Sequence, residues 1–361
     1  MLFLTKLFGV TETDAERSLA DEKTIVEQIV EKVLLMQAQC AAAQKLPLRR
    51  GTHAKGTAVR GQFEVLDVTA GRDAALAARL AKGIFAKPGI YPAVVRFGNA
   101  DSKVRSDFKA DVRSLSFSVD LTCDGTRPIA SNGDSGVARQ DFSMQNTTTL
   151  PINDAPAFLA VMKLLTAKNP GSGLLSLSSK DKMRVFRTLA LVQVQAHQKI
   201  KPYQHLRYWS NTPYRHGLEE VVKHSATPFA TNPGRALVRS NPNALQDELT
   251  RHLKEDGKMS GFDFSVQFLD AANMTYWGKR HDASFWTENA SLEWNEAEAA
   301  FHNVARLTLL SNSQLPADAA EAVYFDVTGN TSPDSLPVGS INRARRQGEI
   351  ASKIARTQAR A

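Results

Sequence analysis

The chain has 361 residues, 42% of them hydrophobic and 23% charged, which is ordinary for a globular protein with a sizeable core. No apolar run approaches the roughly 18 residues that a membrane-spanning helix needs, and the first ten residues lack the pattern of a secretory signal. We therefore expect a cytoplasmic protein without stable membrane insertion. The two cysteines, Cys40 and Cys123, form neither a disulfide framework nor a zinc site, because neither has a partner ligand at the required spacing.

The net charge of +8 raises the question of nucleic-acid binding. Six of the basic residues lie within the last nineteen positions, and no aromatic residues are interleaved with them. No nucleic-acid recognition module is visible either. The pattern favours a solvated basic helix, and no nucleic-acid partner is expected.

The first predicted element is a helix over residues 12–44. Thr13 and Asp14 can cap it, with Glu16 behind them. Apolar residues then recur at helical spacing, at Ile25, Ile29, Val33 and Met36. Residues 1–44 are interpreted as an N-terminal helical arm, which either lies over the rest of the chain or mediates a homodimer.

Short runs rich in Val, Phe and Tyr follow, separated by turn residues. The predicted strands are 61–68, 91–97, 112–120, 262–269 and 303–310. In Leu115–Val119 apolar and hydroxyl residues alternate strictly, so one face of that strand is expected to be buried. Several such strands around one core predict an α+β fold built on an antiparallel β-barrel.

Alanine-rich helices are predicted at 73–84, 154–167 and 181–199, and the segment 200–260 is expected to wrap the barrel. A final helix over 340–359 would be capped by the hydroxyl of Ser340. No repeat or linker divides the chain after the arm. Residues 45–361 are therefore interpreted as one barrel domain with a C-terminal helix.

Four motifs that contain polar residues lie next to predicted strands. They are Arg-Gly-Thr-His-Ala-Lys-Gly at 50–56, Val-Arg-Phe at 95–97, Asp-Val-Arg at 111–113, and the segment 141–154, which contains Gln145 and Asn146. In this order and spacing they resemble the motifs of the catalase superfamily of haem proteins. The resemblance runs from residue 45 to about 350 and is closest to the minimal, small-subunit members.

The resemblance implies a haem b cofactor and a peroxide substrate. His53 would stand over the haem and move a proton between the two peroxide oxygens, as a general acid and base. An asparagine would donate a hydrogen bond to the peroxide. A register without a gap puts Gln145 at the family's functional position, and the role is assigned to the adjacent Asn146.

The resemblance also implies contacts to the porphyrin. Phe158 would stack on its face, and Arg50 and Arg96 would bind its propionates, since a guanidinium pairs with a carboxylate in a fixed fork. Arg113 is a weaker candidate for the same role. The alternative for Arg96 and Arg113 is a structural one, as buried partners of nearby aspartates.

Thr52 departs from the larger catalases, which carry an apolar residue before the distal histidine. Threonine at this position resembles the allene-oxide-synthase-like branch, which acts on fatty-acid hydroperoxides. Its hydroxyl is placed to bond the ring of His53 and to weaken peroxide dismutation.

The C-terminal block 337–349 resembles the segment that carries the iron ligand in the minimal members. There, a tyrosine follows an arginine by four residues and binds the haem iron as a tyrosinate. Arg345 matches the arginine, whereas Glu349 stands at the tyrosine position. Two interpretations remain open: Glu349 binds the iron through its carboxylate, or it forms an i, i+4 ion pair with Arg345 and no axial ligand exists.

Two functions follow from these motifs. The first is a catalase-like, haem-dependent peroxidase that acts on hydrogen peroxide or an organic, including fatty-acid, hydroperoxide. The second is a haem-free protein that retains the barrel in a binding or scaffolding role after losing the axial tyrosine.

Overall fold

The computed structural model describes residues 15–122, 139–232, 234–256 and 260–359. Within these ranges there are nine β-strands in one antiparallel sheet: β1 Lys55–Val65, β2 Gly89–Asn99, β3 Arg113–Asp120, β4 Arg139–Gln145, β5 Tyr208–Trp209, β6 Tyr214–His216, β7 Glu220–Pro228, β8 Ser260–Phe268 and β9 Phe301–Gln314. The strand order is β5-β4-β3-β2-β1-β9-β8-β7-β6. Because β5 pairs with both β4 and β7, eight of these described strands close a barrel, and β6 extends it beside β7. The predicted antiparallel β-barrel is confirmed.

Aromatic side chains fill the interior of the barrel. The ring centroids of Phe117 and Phe142 are 4.8 Å apart, and those of Phe142 and Phe264 are 5.0 Å apart. Phe63 lies 5.6 Å from Phe117. The alternation predicted for β3 is also confirmed, because Leu115, Phe117 and Val119 are fully buried and the serines between them face outward. A barrel whose centre is packed with rings leaves any ligand site outside it.

All five predicted strands are present, but the interpretation of 200–260 as a wrapping segment is wrong for residues 208–228. That segment supplies β5, β6 and β7 to the barrel itself. The sequence of β7 shows no alternation of apolar and polar residues, because both faces of this strand are buried. The buried side chains include those of Lys223 and His224. The sequence also did not predict the strand β4, most of which lies within the 141–154 motif.

Nine α-helices lie in the described ranges: α1 Glu22–Gln44, α2 Ala74–Leu80, α3 Ala155–Leu165, α4 Pro170–Ser176, α5 Ser179–Ala196, α6 Ala244–Arg251, α7 Ala283–Thr287, α8 Ala317–Ala322 and α9 Ser340–Gln358. Single turns of 3₁₀-helix occur at Gly83–Ala86, Tyr203–His205 and Pro333–Ser335, and a π-helical turn at His252–Asp256. No helix in this part of the chain is long and apolar enough to cross a membrane.

The arm helix begins at Glu22, later than predicted, and the proposed caps Thr13 and Asp14 lie outside the described residues. Before it, Glu16 turns inward to a buried ion pair with Arg343, 2.7 Å between Nη1 and Oε1. Glu22 binds Nε of the same guanidinium at 2.6 Å, and Glu288 binds Nη2 at 2.8 Å. This tertiary contact replaces a continued helix and joins the arm to α9.

The predicted capping of α9 by Ser340 is wrong. Gly339 occupies the N-cap position with φ at 92°, a left-handed conformation that suits glycine. The hydroxyl of Ser340 instead accepts a hydrogen bond from the backbone N–H of Ala155, at 3.0 Å. The three helices α1, α3 and α9 then pack through one apolar cluster, which contains Ile29, Leu159 and Ala344.

Candidate functional site

A cavity of about 290 Å³ lies against the outer face of the barrel. The helices α1, α3 and α9, the strands β3 and β4, and the segments 50–53 and 324–327 contribute to its wall. Seven of the nine residues predicted for the site line it: Arg50, Thr52, His53, Arg96, Phe158, Arg345 and Glu349. The fold thus brings together side chains separated by about 300 positions in sequence.

The backbone of His53 is held by hydrogen bonds at both its N–H and its carbonyl. His53 has φ at 59°, in the left-handed region that a histidine seldom adopts. The backbone N–H of His53 donates to the carbonyl of Ala100 at 3.1 Å, and the guanidinium of Arg96 donates to the backbone carbonyl of His53 at 3.1 Å. These two bonds compensate the strained backbone and fix the direction of the side chain.

The two ring nitrogens of His53 have different surroundings. Nδ1 lies 3.1 Å from the hydroxyl of Thr52, as the sequence predicted. Nε2 is buried and has no hydrogen-bond partner among the described residues. Burial, followed by repulsion from Arg96, Arg50 and Arg345, lowers the pKa of His53 from 6.5 to about 3. The ring is therefore neutral near pH 7, and Nε2 is left for a ligand.

Three guanidinium groups approach the carboxylate of Glu321, and a fourth binds main-chain carbonyls next to it. Glu321 is approached by Arg49 and Arg356 at 3.7 Å and by Arg96 at 3.9 Å. Arg50 donates to the carbonyls of Val323 and Glu321. Burial, together with repulsion from Arg96 and Arg356, lowers the pKa of Arg50 well below its usual value. This excess of positive charge would be relieved by an anionic ligand.

Arg356 lines the cavity but was not predicted. It follows Arg345 by eleven residues on α9, which is three helical turns and places both on one face. That spacing is visible in the sequence and would have identified it.

Arg345 and Glu349 form an ion pair on α9, with 2.9 Å between Nε and Oε1. The i, i+4 pairing predicted as one alternative is present. The second carboxylate oxygen of Glu349 is buried and has no hydrogen-bond partner in the described part of the chain. Burial raises the pKa of Glu349, and the charge of Arg345 opposes that rise.

Tyr324 also reaches the cavity, from the loop after α8. Its hydroxyl is buried and, among the described residues, has no hydrogen-bond partner. Burial and the nearby carboxylates of Asp326 and Glu349 raise the pKa of Tyr324. As an unligated side chain Tyr324 is therefore a neutral phenol, and it lies outside the C-terminal block in which the resemblance places the tyrosinate.

The structure places Asn146 and Arg113 away from the cavity. Asn146 accepts a hydrogen bond from the backbone N–H of Arg113 at 2.6 Å and donates to Gln198 at 3.1 Å. Arg113 donates to the carbonyl of Asp107 at 2.6 Å and lies 3.7 Å from the carboxylate of Asp111. Both side chains have structural partners outside the cavity, so this geometry does not support Asn146 as the distal amide or Arg113 as a propionate ligand.

Gln145, the residue that the gapless register indicated, lines the cavity instead. On β4 the alternation of a strand puts Ser143 and Gln145 on the cavity side and Met144 inside the barrel. Ser116 of β3 extends the same wall, with its hydroxyl 3.3 Å from that of Ser143. These hydroxyl and amide groups give the cavity a wall of hydrogen-bond donors.

No family model matches the sequence, and no curated protein matches it significantly. Several solved structures share the fold. A fungal catalase is 13% identical with a TM-score of 0.59, over 90% of this chain and 61% of its own. Catalase A from Saccharomyces cerevisiae is 15% identical with a TM-score of 0.58, over 89% and 62%. A bacterial catalase is 16% identical with a TM-score of 0.55, over 91% and 60%.

These similarities establish a catalase-like fold, and at such low identity they establish the fold alone. The chain spans about six tenths of the length of the catalases it matches. Within the described residues, no group of three or more His, Cys, Asp or Glu side chains could hold a metal ion by itself.

Proposed function

We propose that this chain is a catalase-like haem protein that reacts with hydrogen peroxide or an organic hydroperoxide in the cavity. The observation that carries the proposal is the ring of His53. It is neutral, held by Thr52 at Nδ1, and leaves a buried Nε2 without a partner among the described residues. A strained and oriented imidazole of this kind is suited to move protons for a bound substrate.

The residues of the cavity fit a haem b. Arg50, Arg96 and Arg356 would pair with its propionates, and Phe158 would contact the porphyrin. The buried Oε2 of Glu349 would offer an oxygen donor to the iron, since Arg345 binds the other carboxylate oxygen. When bound, haem supplies a redox-active iron at which the O–O bond of a peroxide is broken.

The protein's own part in the reaction is to bind the peroxide and to move its proton. Nε2 of His53 accepts the proton from the hydroxyl oxygen of the hydroperoxide and returns it to the other oxygen as the O–O bond breaks. Thr52 keeps the ring in the orientation that this transfer needs. Gln145, in place of Asn146, donates a hydrogen bond to the peroxide from the wall formed by β4.

The Arg345–Glu349 ion pair favours a second candidate, a haem-free binding or scaffolding protein. A carboxylate already paired with a guanidinium is a weaker iron ligand than a free one, because ligation competes with the ion pair. In this candidate the arginines would bind another anionic ligand, and the peroxide chemistry would be absent.

The two candidates are separated by the absorption spectrum of protein expressed with a haem precursor and purified by gel filtration. A Soret band that remains with the protein, at one haem per chain, supports the proposal. Its absence after expression and after reconstitution with haemin refutes it. Glu349→Ala should shift the spectrum if Glu349 binds iron, with Glu31→Ala as the surface control. His53→Ala should retain the haem and lose reactivity with peroxide.

A further inference from the structure

A stripe of large apolar side chains is exposed on α5, whereas the solvent-facing side of a helix ordinarily carries polar and charged residues. Met183 is 70% exposed, Phe186 54% and Val194 75%. With Ala190 they follow one another at spacings of three, four and four residues, which places them on one face of the helix. The opposite face is buried through Val185, so the exposed stripe is not the side of α5 that packs on the protein.

Further leucines are exposed on α5 and on the neighbouring helices α3 and α4. Leu165, at the end of α3, and Leu175, on α4, are 55% and 78% exposed, and Leu189 borders the stripe. We refer to the stripe together with these three leucines as the α5 patch. Scattered apolar residues are normal on a protein surface, whereas a contiguous set indicates a partner.

The α5 patch lies in a strongly basic part of the chain. Residues 163–201 contain eight Lys or Arg side chains and one acidic residue, Asp181, so this segment alone has a net charge of +7 out of +8 for the chain. At 100° per residue, Lys180 and Arg187 border the stripe on one side and Lys182 borders it on the other. An apolar stripe with cations along both edges is typical of a helix that lies in a membrane interface.

We propose that the α5 patch docks the protein on a membrane surface that contains anionic lipids. Phe186, Met183 and Val194 enter the boundary between headgroups and acyl chains, while Lys180 and Lys182 extend along it and bind lipid phosphates. This attachment is peripheral and needs no membrane-crossing helix. It is independent of haem binding and adds a location to the proposed chemistry.

Two other occupants agree less well with the charges and the apolar stripe. A second copy of the chain in a two-fold contact would bring the same basic surface against itself, which like charges oppose. A nucleic acid would bind the lysines through its phosphates but would leave the exposed phenylalanine and methionine without a function. An anionic membrane accommodates both the charges and the apolar side chains.

The test is co-sedimentation of the full chain with vesicles of phosphatidylcholine, with and without phosphatidylglycerol. We expect strong binding to the mixed vesicles, weak binding to phosphatidylcholine alone, and release as salt is raised. Each basic residue near an anionic surface contributes about fivefold in affinity, so K180Q/K182Q should lower binding by about 25-fold. M183S/F186S should lower it by at least about tenfold, because two large apolar side chains no longer enter the membrane.

Matched controls use residues elsewhere on the surface. Leu218 is 75% exposed, and Lys109 is also exposed, so L218S and K109Q should bind vesicles as the unchanged protein does. Urea unfolding of each variant verifies that the fold is retained.

Several outcomes would overturn the inference. Equal binding to both kinds of vesicle, or no binding at low salt, would remove the role of anionic lipid. Full binding by M183S/F186S would indicate charge attraction alone. A dimer in sedimentation that this variant abolishes would identify a second copy as the occupant. None of these results bears on the haem proposal, which is read from the absorption spectrum.

Discussion

His224 of β7 provides a quantitative prediction about pH. Its ring lies in the core of the barrel, with ring centroids 4.9 Å from Tyr214, 5.2 Å from Phe264 and 5.4 Å from Phe142. Nδ1 is buried and has no hydrogen-bond partner in the described ranges. Burial lowers the pKa of His224 from 6.5 to about 3, since the aromatic core cannot solvate an imidazolium.

This shift makes folding stability depend on pH in one direction. Between pH 6.5 and pH 3 the unfolded chain binds a proton at His224 and the folded chain does not, so stability falls as pH falls. From about pH 7.5 to about pH 5 the loss works out at about 2 kcal/mol. The result is insensitive to the folded-state pKa, because any value well below 5 gives nearly the same loss.

Replacing His224 with leucine should remove this loss. The variant has a constant packing cost, but that cost cancels when its own stabilities at the two pH values are compared. Urea unfolding at both pH values measures the difference. The unchanged protein should lose about 2 kcal/mol more than H224L, while some acid sensitivity remains from His53 and His216, whose pKa values burial also lowers.

The control is H197Q, which replaces an exposed histidine and should leave the pH dependence unchanged. If H224L and H197Q show the same loss of stability on acidification, His224 is solvated or hydrogen-bonded in the folded protein. The argument from burial would then be refuted.

Arg343→Met leaves two buried carboxylates and the partly buried Glu288 without their common partner and should lower the free energy of unfolding by about 3–5 kcal/mol in urea, against about 0–1 kcal/mol for the exposed Arg306→Met. Asn146→Leu leaves the N–H of a neighbouring strand unpaired and should cost about 1–3 kcal/mol, with the haem spectrum unchanged. Gln145→Leu should keep stability and slow the reaction with peroxide, and the opposite pattern would restore Asn146 to the site. Thr52→Val should slow the same reaction by about tenfold at unchanged haem content, and an unaltered rate would exclude the hydroxyl as the group that orients His53.

The parts of the fold that the sequence predicts are those in which the spacing of apolar residues matches the face that is buried. In β3 a strict alternation from Leu115 to Val119 reports one buried face and one outward face. In β7 the alternation disappears because Lys223 and His224 are buried beside apolar residues. The ammonium group of Lys223 donates to the carbonyl of Leu292 at 2.9 Å, and this distant partner cannot be predicted from the residues around Lys223.

The candidate site divides in the same way. Segment 50–56 and the α9 block were identified because each forms a recognisable motif. Glu321 and Tyr324 were missed, since their relevance comes only from the side chains that the fold brings next to them. Gln145 was available from the register, but its cavity-facing direction depends on β4 being a strand.

The charge balance of the cavity bears on whether Glu349 is compatible with a bound haem. Four guanidinium groups line the cavity, from Arg50, Arg96, Arg345 and Arg356, and two carboxylates face them, those of Glu321 and Glu349. Arg49 also approaches Glu321, so with all of these groups ionised the guanidinium groups outnumber the two carboxylates by three. In the proposed haem complex the two propionates would offset two of these charges, and the carboxylate of Glu349 would carry the same charge as the tyrosinate of the haem proteins that the C-terminal block resembles. In that complex, a glutamate at this position would change the geometry and donor strength of the iron site without changing its charge.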